Sequence, residues 1–129
     1  MKIQGLDHFN LRASRKLLEA LRDFYCDVVG LSAGYRPPFK EFGYWLYAGE
    51  HAVVHLVEAD EDEIPATDGV TTLGHIAFAC TGRSATEKHL QELGMNYAVA
   101  QVPESGQIQL FLKDPAGNGI ELSFDATEA

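Results

Sequence analysis

The chain of 129 residues has few cysteines, an excess of negative charge and no long apolar run. Its two cysteines, Cys26 and Cys80, form no Cys-x-x-Cys pair, so we interpret them as reduced structural thiols of a cytoplasmic protein. Ten Lys and Arg face nineteen Asp and Glu, and this net charge of -9 argues against nucleic acid and anionic membranes as partners. No apolar segment approaches the about 20 residues of a membrane span, and the first residues lack the apolar core of a signal peptide.

The sequence also lacks the short motifs of several enzyme classes. It has no Gly-x-Gly-x-x-Gly or P-loop pattern, which argues against a nucleotide site. It has no Gly-x-Ser-x-Gly elbow, which argues against a serine hydrolase. The hydrophobic share of 46% is that of an ordinary globular protein, and the length suits one domain spanning residues 1–129.

Hydrophobic periodicity and turn residues predict an α+β fold in which one order of elements occurs twice. Module one, about residues 1–59, is predicted as a strand, a helix and three further strands. An acidic run with turn residues, about residues 60–70, predicts a solvated linker. Module two, about residues 71–125, repeats the order, and residues 126–129 are predicted to be a frayed tail.

Local signals set the expected bounds of these elements. The first strand of each module is predicted over residues 3–11 and 72–80. Ser14 is the predicted N-cap of the first helix, and residues 84–87 match the capping box of the second. Arg-Pro-Pro-Phe at residues 36–39 predicts an extended loop or an edge segment, because proline cannot donate to a sheet ladder.

Alignment of the chain with itself supports the repeat. Leu-Asp-His-Phe around His8 matches Leu-Gly-His-Ile around His75, and Val-His-Leu around His55 matches Ile-Glu-Leu around Glu121. Each half therefore carries one polar residue in its first predicted strand and another in its last. Two related copies of one fold unit are expected to bring these four residues into equivalent places.

Glu121 lies between two large apolar residues, where an unpaired carboxylate is costly to bury. Two histidines and a carboxylate form a common ligand set for Zn, Ni, Fe, Mn or Co. We therefore predict a divalent metal held by His8, His75 and Glu121, with His55 as a fourth ligand or as a nearby acid–base group. A lone histidine in an apolar strand is more often structural, but the matched positions favour the metal.

Other polar and aromatic residues on the same strands are candidates for a substrate pocket. Trp45 and Phe111 are predicted to line it, although aromatic strand residues are often core. Arg12 is a candidate for holding a substrate anion, with an exposed salt bridge as the alternative. Asn10 and Gln109 are candidates for polar contacts.

The sequence resembles the vicinal oxygen chelate superfamily, which includes glyoxalase I, extradiol dioxygenases and bleomycin-resistance proteins. The resemblance rests on Leu-Asp-His-Phe-Asn-Leu, Phe-Tyr-Cys-Asp-Val-Val-Gly-Leu, Gly-His-Ile-Ala-Phe and Leu-Lys-Asp-Pro-Ala-Gly-Asn-Gly-Ile-Glu-Leu, which begin at residues 6, 24, 74 and 112. It implies two βαβββ modules that form a cupped mixed sheet around a metal, with ligands at His8, His75 and Glu121. It also implies a homodimer and a small-molecule substrate.

Two positions depart from named members of the superfamily. Bacterial glyoxalase I has a glutamate, both ligand and base, where this chain has His55. Extradiol dioxygenases have a tyrosine where this chain has Phe111. The resemblance therefore implies a glyoxalase-like lyase or isomerase whose metal chelates two adjacent oxygens of the substrate, with His55 moving the proton. The alternatives are an Fe(II) dioxygenase of the extradiol type and a metal-free binding protein of the drug-resistance type.

Overall fold

A computed structural model describes residues 1–63 and 72–129 of the chain. Most of the predicted linker, residues 64–70, lies outside the described residues. The chain divides into two compact units, Met1–Pro65 and Ala66–Ala129. Within the described ranges, no helix is long and apolar enough to cross a membrane.

The first unit contains one mixed four-stranded sheet and one helix. In chain order its elements are β1 (Phe9–Ala13), α1 (Arg15–Asp23) with a π-helical turn (Phe24–Val28), β2 (Ser32–Gly34), β3 (Gly43–Ala48) and β4 (His51–Glu58). The strand order is β1-β4-β3-β2, in which β1 runs parallel to β4 and the other neighbours are antiparallel.

The second unit has the same order of elements and the same topology. Its elements are β5 (Ile76–Cys80), α2 (Arg83–Glu92), β6 (Ala98–Gln101), β7 (Ile108–Lys113), β8 (Gly119–Phe124) and a 3-10 turn (Ala126–Glu128). The strand order is β5-β8-β7-β6, again with one parallel pair, β5 and β8. The prediction of an α+β fold built from two βαβββ modules is confirmed.

The amphipathic sequence of α1 explains how the first unit forms its core. The Ser14 hydroxyl accepts a hydrogen bond from the Leu17 amide, which caps the helix as predicted. Leu18 and Leu21, on one face of the helix, are fully buried, and α1 contacts β1, β3 and β4. Burial of such side chains contributes roughly 1.5 to 3 kcal/mol each.

Both long central strands are buried along most of their length. In β4 the side chains of Val54 and Leu56 are fully buried, and in β8 those of Ile120 and Leu122 are nearly so. Successive residues of a strand point to opposite faces, so the residue between each pair faces away from these apolar side chains. In β8 that residue is Glu121.

The first strand of each module is shorter than predicted. The strands predicted over residues 3–11 and 72–80 begin at Phe9 and Ile76. The pairing of β1 with β4 begins only at Phe9 and Val54, and Ile3 and Leu6 are exposed rather than packed on the sheet. His8 and His75 each therefore lie directly before a strand and not inside one.

The N-terminus of α2 differs from the predicted capping box. Its N-cap is Gly82, at a φ of 81° in the left-handed region, and no side chain of the helix caps it. Instead the Glu128 carboxylate accepts hydrogen bonds of 2.8 Å from the amides of Gly82 and Arg83. The predicted frayed tail is also wrong, because Asp125 caps a 3-10 turn that brings Glu128 to the helix.

We expect Glu128→Ala to lower the free energy of unfolding by about 1 kcal/mol, since it removes the only side-chain acceptor for these amides among residues 1–63 and 72–129. Urea denaturation monitored by circular dichroism measures the change. Glu92→Ala, at the opposite end of α2, is the matched control, because loss of a negative charge at a helix C-terminus is neutral or slightly stabilising. Equal destabilisation by the two variants would contradict the capping role.

Candidate functional site

The two sheets place His55 and Glu121 at equivalent positions. In the first unit His55 of β4 pairs with Trp45 of β3, and in the second Glu121 of β8 pairs with Phe111 of β7. Both residues lie on the central strand of their sheet and are buried. The internal repeat inferred from the sequence is thus also a repeat of strand register.

Glu121 is the centre of the polar group in the second unit. Its Oε1 lies 3.1 Å from His75 Nε2 and accepts a hydrogen bond of 3.1 Å from the side-chain amide of Gln109. Only 7% of the Glu121 side chain is exposed, against 46% for His75. A buried carboxylate thus faces a half-exposed imidazole, and the structure shows no Lys or Arg ion pair to it within residues 1–63 and 72–129.

A glycine allows this approach. A Cβ atom at Gly119 would lie 2.4 Å from the carbonyl oxygen of Gly74 and 3.0 Å from His75 Cβ, so any side chain there would displace the backbone before β5. The absence of a side chain at the first residue of β8 lets His75 sit close enough to reach Glu121. The His75 ring also makes an edge contact with Phe111, with ring centroids 5.4 Å apart.

The separation of the two donor atoms suits a metal. Ligand atoms that bind one transition metal at about 2.1 Å, with angles between 90° and 110°, lie about 3.0 to 3.4 Å apart. The distance of 3.1 Å between His75 Nε2 and Glu121 Oε1 falls in this range. This pair fits two adjacent positions of one coordination sphere.

The first unit holds a stack of three aromatic rings. The His55 ring lies between His8, at 3.6 Å between centroids, and Trp45, at 4.1 Å, and both interplanar angles are 13°. Asp7 accepts a hydrogen bond of 2.6 Å from His8 Nδ1, which leaves Nε2 of that ring as its remaining donor atom for a metal. A carboxylate behind an imidazole is the usual support of a metal-binding histidine.

The stack bears on the two roles considered for His55, fourth ligand or nearby acid–base group. An imidazole nitrogen binds a metal in the plane of its own ring, and the near-parallel rings of His8 and His55 are 3.6 Å apart. In this arrangement one ion at normal bond length cannot lie in both planes. If His8 is a ligand, His55 does not bind the same metal unless one ring turns.

The environment of His55 keeps its ring neutral and fixes its tautomer. Nε2 donates a hydrogen bond of 3.2 Å to the carbonyl oxygen of Ala52, so the lone pair is on Nδ1. Burial lowers the pKa of His55 below its usual 6.5, and the nearby His8 lowers this pKa further. The neutral ring offers one nitrogen that can accept a proton.

A pocket of about 340 Å³ lies beside this stack. Its walls include four residues proposed from the sequence, namely Asn10, Arg12, Trp45 and His55. Arg12 donates from Nε to both carboxylate oxygens of Glu63, at 2.9 and 3.1 Å, which is the salt bridge considered as its alternative role.

The pocket also contains four residues that sequence reasoning missed, namely Arg36, Phe39, Glu41 and Val57. Arg36 and Phe39 come from the Arg-Pro-Pro-Phe segment, which was interpreted as an extended loop or an edge segment. The signal that could have identified Arg36 is its position directly before two prolines, which restrict the backbone.

The candidate residues thus form two groups, each within one unit. His8, His55, Trp45, Asn10 and Arg12 belong to the first unit, and His75, Glu121, Gln109 and Phe111 to the second. In the part of the chain that the structure describes, no group of three or more His, Cys, Asp or Glu is arranged to hold a metal ion. The ligand set of His8, His75 and Glu121 stays a prediction.

Comparison with known proteins shows the family. Residues 5–122 match the model of the Glyoxalase/Bleomycin resistance protein/Dioxygenase superfamily. The chain belongs to this superfamily. The family resemblance inferred from the sequence is therefore confirmed.

Relatives of this superfamily support the assignment. The chain is 38% identical over 127 residues to "Glyoxylase I 4" of Arabidopsis thaliana, a match that covers 95% of this chain and 71% of the plant protein. Solved structures share the fold. A glyoxalase family protein from Bacillus anthracis is 24% identical with a TM-score of 0.75, covering 97% of this chain and 98% of its own. A lactoylglutathione lyase from Agrobacterium tumefaciens is 19% identical with a TM-score of 0.66, covering 98% of each chain.

We expect the ring of His55 to titrate below pH 6.5 in the chelator-treated protein, because burial disfavours its charged form. The unfolded chain then binds more protons than the folded one just below pH 6.5, so stability falls as the pH drops through this window. Proton NMR of the histidine signals, assigned with His55→Gln, measures the midpoint. His8→Ala removes a neighbouring like charge and is expected to raise it. A His55 midpoint at or above 6.5 would contradict this account.

Proposed function

We propose that the protein is a divalent-metal-dependent lyase or isomerase of the glyoxalase type, acting on a small substrate chelated through adjacent oxygens. The observation that carries the proposal is the His75–Glu121 pair, a buried carboxylate held 3.1 Å from an imidazole nitrogen. A metal would satisfy both groups, since neutral imidazole and carboxylate are ligands that Zn, Ni, Fe, Mn and Co share. The names of the plant and Agrobacterium relatives support an enzyme of this class.

The proposed ligands are His75 and Glu121 from the second unit and His8 from the first. His8 has the support of Asp7 on its Nδ1, and Glu121 has the support of Gln109 on Oε1. Such outer contacts orient ligands and tune their basicity. In this proposal both modules contribute ligands to one metal, in one chain or across a homodimer, as the family resemblance implies.

The chemistry assigns separate tasks to the metal and to His55. When bound, the metal acts as a Lewis acid that stabilises negative charge on the substrate oxygens. The Nδ1 atom of His55 takes a proton from the carbon next to them and returns it at the neighbouring position. Anchoring of Nε2 by Ala52 and stacking on Trp45 hold the ring in place for this transfer.

We expect protein purified without a His-tag to hold one divalent metal per site, detectable by mass spectrometry of the bound elements. Glu121→Gln and His75→Ala are each expected to weaken metal affinity by at least about 100-fold, because loss of a ligand costs more than loss of an outer contact. His89→Ala, an exposed histidine of α2, is the matched control.

Each outcome of this metal measurement has a consequence. Zn, Ni, Co or Mn without O₂ uptake supports a lyase or isomerase, whereas stoichiometric iron with O₂ uptake on catechols would assign a dioxygenase instead. No metal in the wild type, and unchanged ligand binding in His8→Ala and Glu121→Ala, would overturn the metal-dependent function.

We expect His55→Gln to retain the metal and to lower turnover by roughly 10²- to 10⁴-fold, the range typical of a lost general base. Exchange of the substrate α-proton with deuterated water, followed by NMR, measures the proton transfer directly. A parallel loss of metal and turnover in His55→Gln would show instead that His55 is a ligand. His89→Gln, at an exposed histidine of α2, is the control.

A further inference from the structure

We propose that the substrate carries a carboxylate group and that Arg36 binds it in the pocket beside His55. This inference rests on the proposed function, because it names the class of substrate for the same site. It concerns a residue of the loop between β2 and β3, which lies outside the proposed metal ligands and proton carrier.

The first argument is the state of the Arg36 guanidinium. Its Nη1 donates a hydrogen bond of 3.0 Å to the backbone carbonyl of Glu41, and its Nε is buried without a hydrogen-bond partner. Among residues 1–63 and 72–129 the structure shows no carboxylate ion-paired with Arg36. Arg12, in the same pocket, already has both oxygens of Glu63. Arg36 is therefore the pocket arginine whose charge is not matched by an ion pair.

The second argument is a break in the internal repeat. Position 43 in β3 corresponds to position 109 in β7, because Gly43 pairs with Val57 as Gln109 pairs with Ser123. In the second unit this position supplies a neutral amide to Glu121. In the first unit it is Gly43, and a Cβ there would lie 2.1 Å from the backbone oxygen of Leu56 and 3.0 Å from Arg36 Nη2.

The backbone of β4 and the Arg36 guanidinium together therefore occupy the space that a side chain at position 43 would take. The second unit has an amide donor next to a buried carboxylate, while the first has a cation in the pocket of a neutral histidine. A cation in that pocket is complementary to an anionic ligand.

The loop holds Arg36 in place before any ligand binds. Pro37 and Pro38 restrict the backbone that follows Arg36, and the Tyr47 hydroxyl donates a hydrogen bond of 2.5 Å to the carbonyl oxygen of Tyr35. The guanidinium also lies over the Phe39 ring, 4.9 Å from its centroid. A preorganised arginine loses little conformational entropy on binding, which favours affinity.

The charge of the pocket favours a carboxylate over a phosphate. The planar guanidinium matches a carboxylate in geometry. Glu41 also lines the pocket, and the chain has a net charge of -9, so a dianionic phosphate would meet repulsion that a single arginine does not offset. The group of the substrate that Arg36 binds is therefore a monoanionic carboxylate.

The test compares two probes of nearly the same size, of which only one carries this charge. 3,4-Dihydroxybenzoate and 3,4-dihydroxybenzamide share two adjacent oxygens, but only the first is an anion. Isothermal titration calorimetry of the full chain with its metal is expected to show at least roughly tenfold tighter binding of the acid, the range of a charge-assisted hydrogen bond. The indole NMR signal of Trp45, the one tryptophan of the chain, reports whether binding occurs in this pocket.

Three variants separate Arg36 from other sources of the preference. Arg36→Gln is expected to abolish the preference for the acid while leaving amide binding unchanged, which also shows that the pocket remains folded. Arg36→Lys keeps the charge and is expected to retain part of the preference. Lys16→Gln, an exposed residue of α1, removes one positive charge elsewhere and is expected to leave the preference intact.

Several results would overturn the inference. These are equal binding of acid and amide by the wild type, an undiminished preference in Arg36→Gln, and loss of the preference in Arg12→Gln but not in Arg36→Gln. Benzoate and benzamide, which lack the adjacent oxygens, repeat the comparison without metal chelation. If the protein binds no metal, the proposed metal function fails. A preference for benzoate over benzamide that depends on Arg36 would still support the carboxylate site in that case.

Discussion

The candidate site depends on the contact between Glu121 and His75. A carboxylate buried in an apolar strand needs partners that stabilise its charge. The structure supplies the amide of Gln109 and the half-exposed ring of His75, with no Lys or Arg pair shown in the described residues. Gly119 keeps the backbone before β5 close enough for this contact. These groups can hold a proton or a metal, and the proposal assigns them the metal.

The two units show how a repeat can diverge while keeping its register. His55 and Glu121 occupy equivalent places on the central strands, yet one ring is stacked and neutral while the other group is a carboxylate beside an imidazole. The stack of His8 on His55 also prevents both rings from serving one ion as they stand. This separates the proposed ligands from the proposed proton carrier.

Electrostatics of the pocket suggest how such a site selects its substrate. The protein is acidic overall, but the pocket beside His55 contains Arg36, whose charge lacks an ion pair in the described part of the chain. The net negative charge of the protein repels a small anion, whereas the nearby Arg36 attracts it. Binding of an anion in this pocket therefore depends more on the position of Arg36 than on the net charge. The neutral state of His55 suits it to accept a proton in this pocket.

The sequence by itself determined the order of elements, the repeat and the family, because periodicity, glycine and proline positions and matched motifs are local properties. It did not determine the starts of β1 and β5 or the cap of α2, since these depend on sheet pairing and on Glu128, which is distant in the chain. Only the tertiary structure placed Arg36 against Gly43 and stacked His8 on His55, because packing decides which side chains meet.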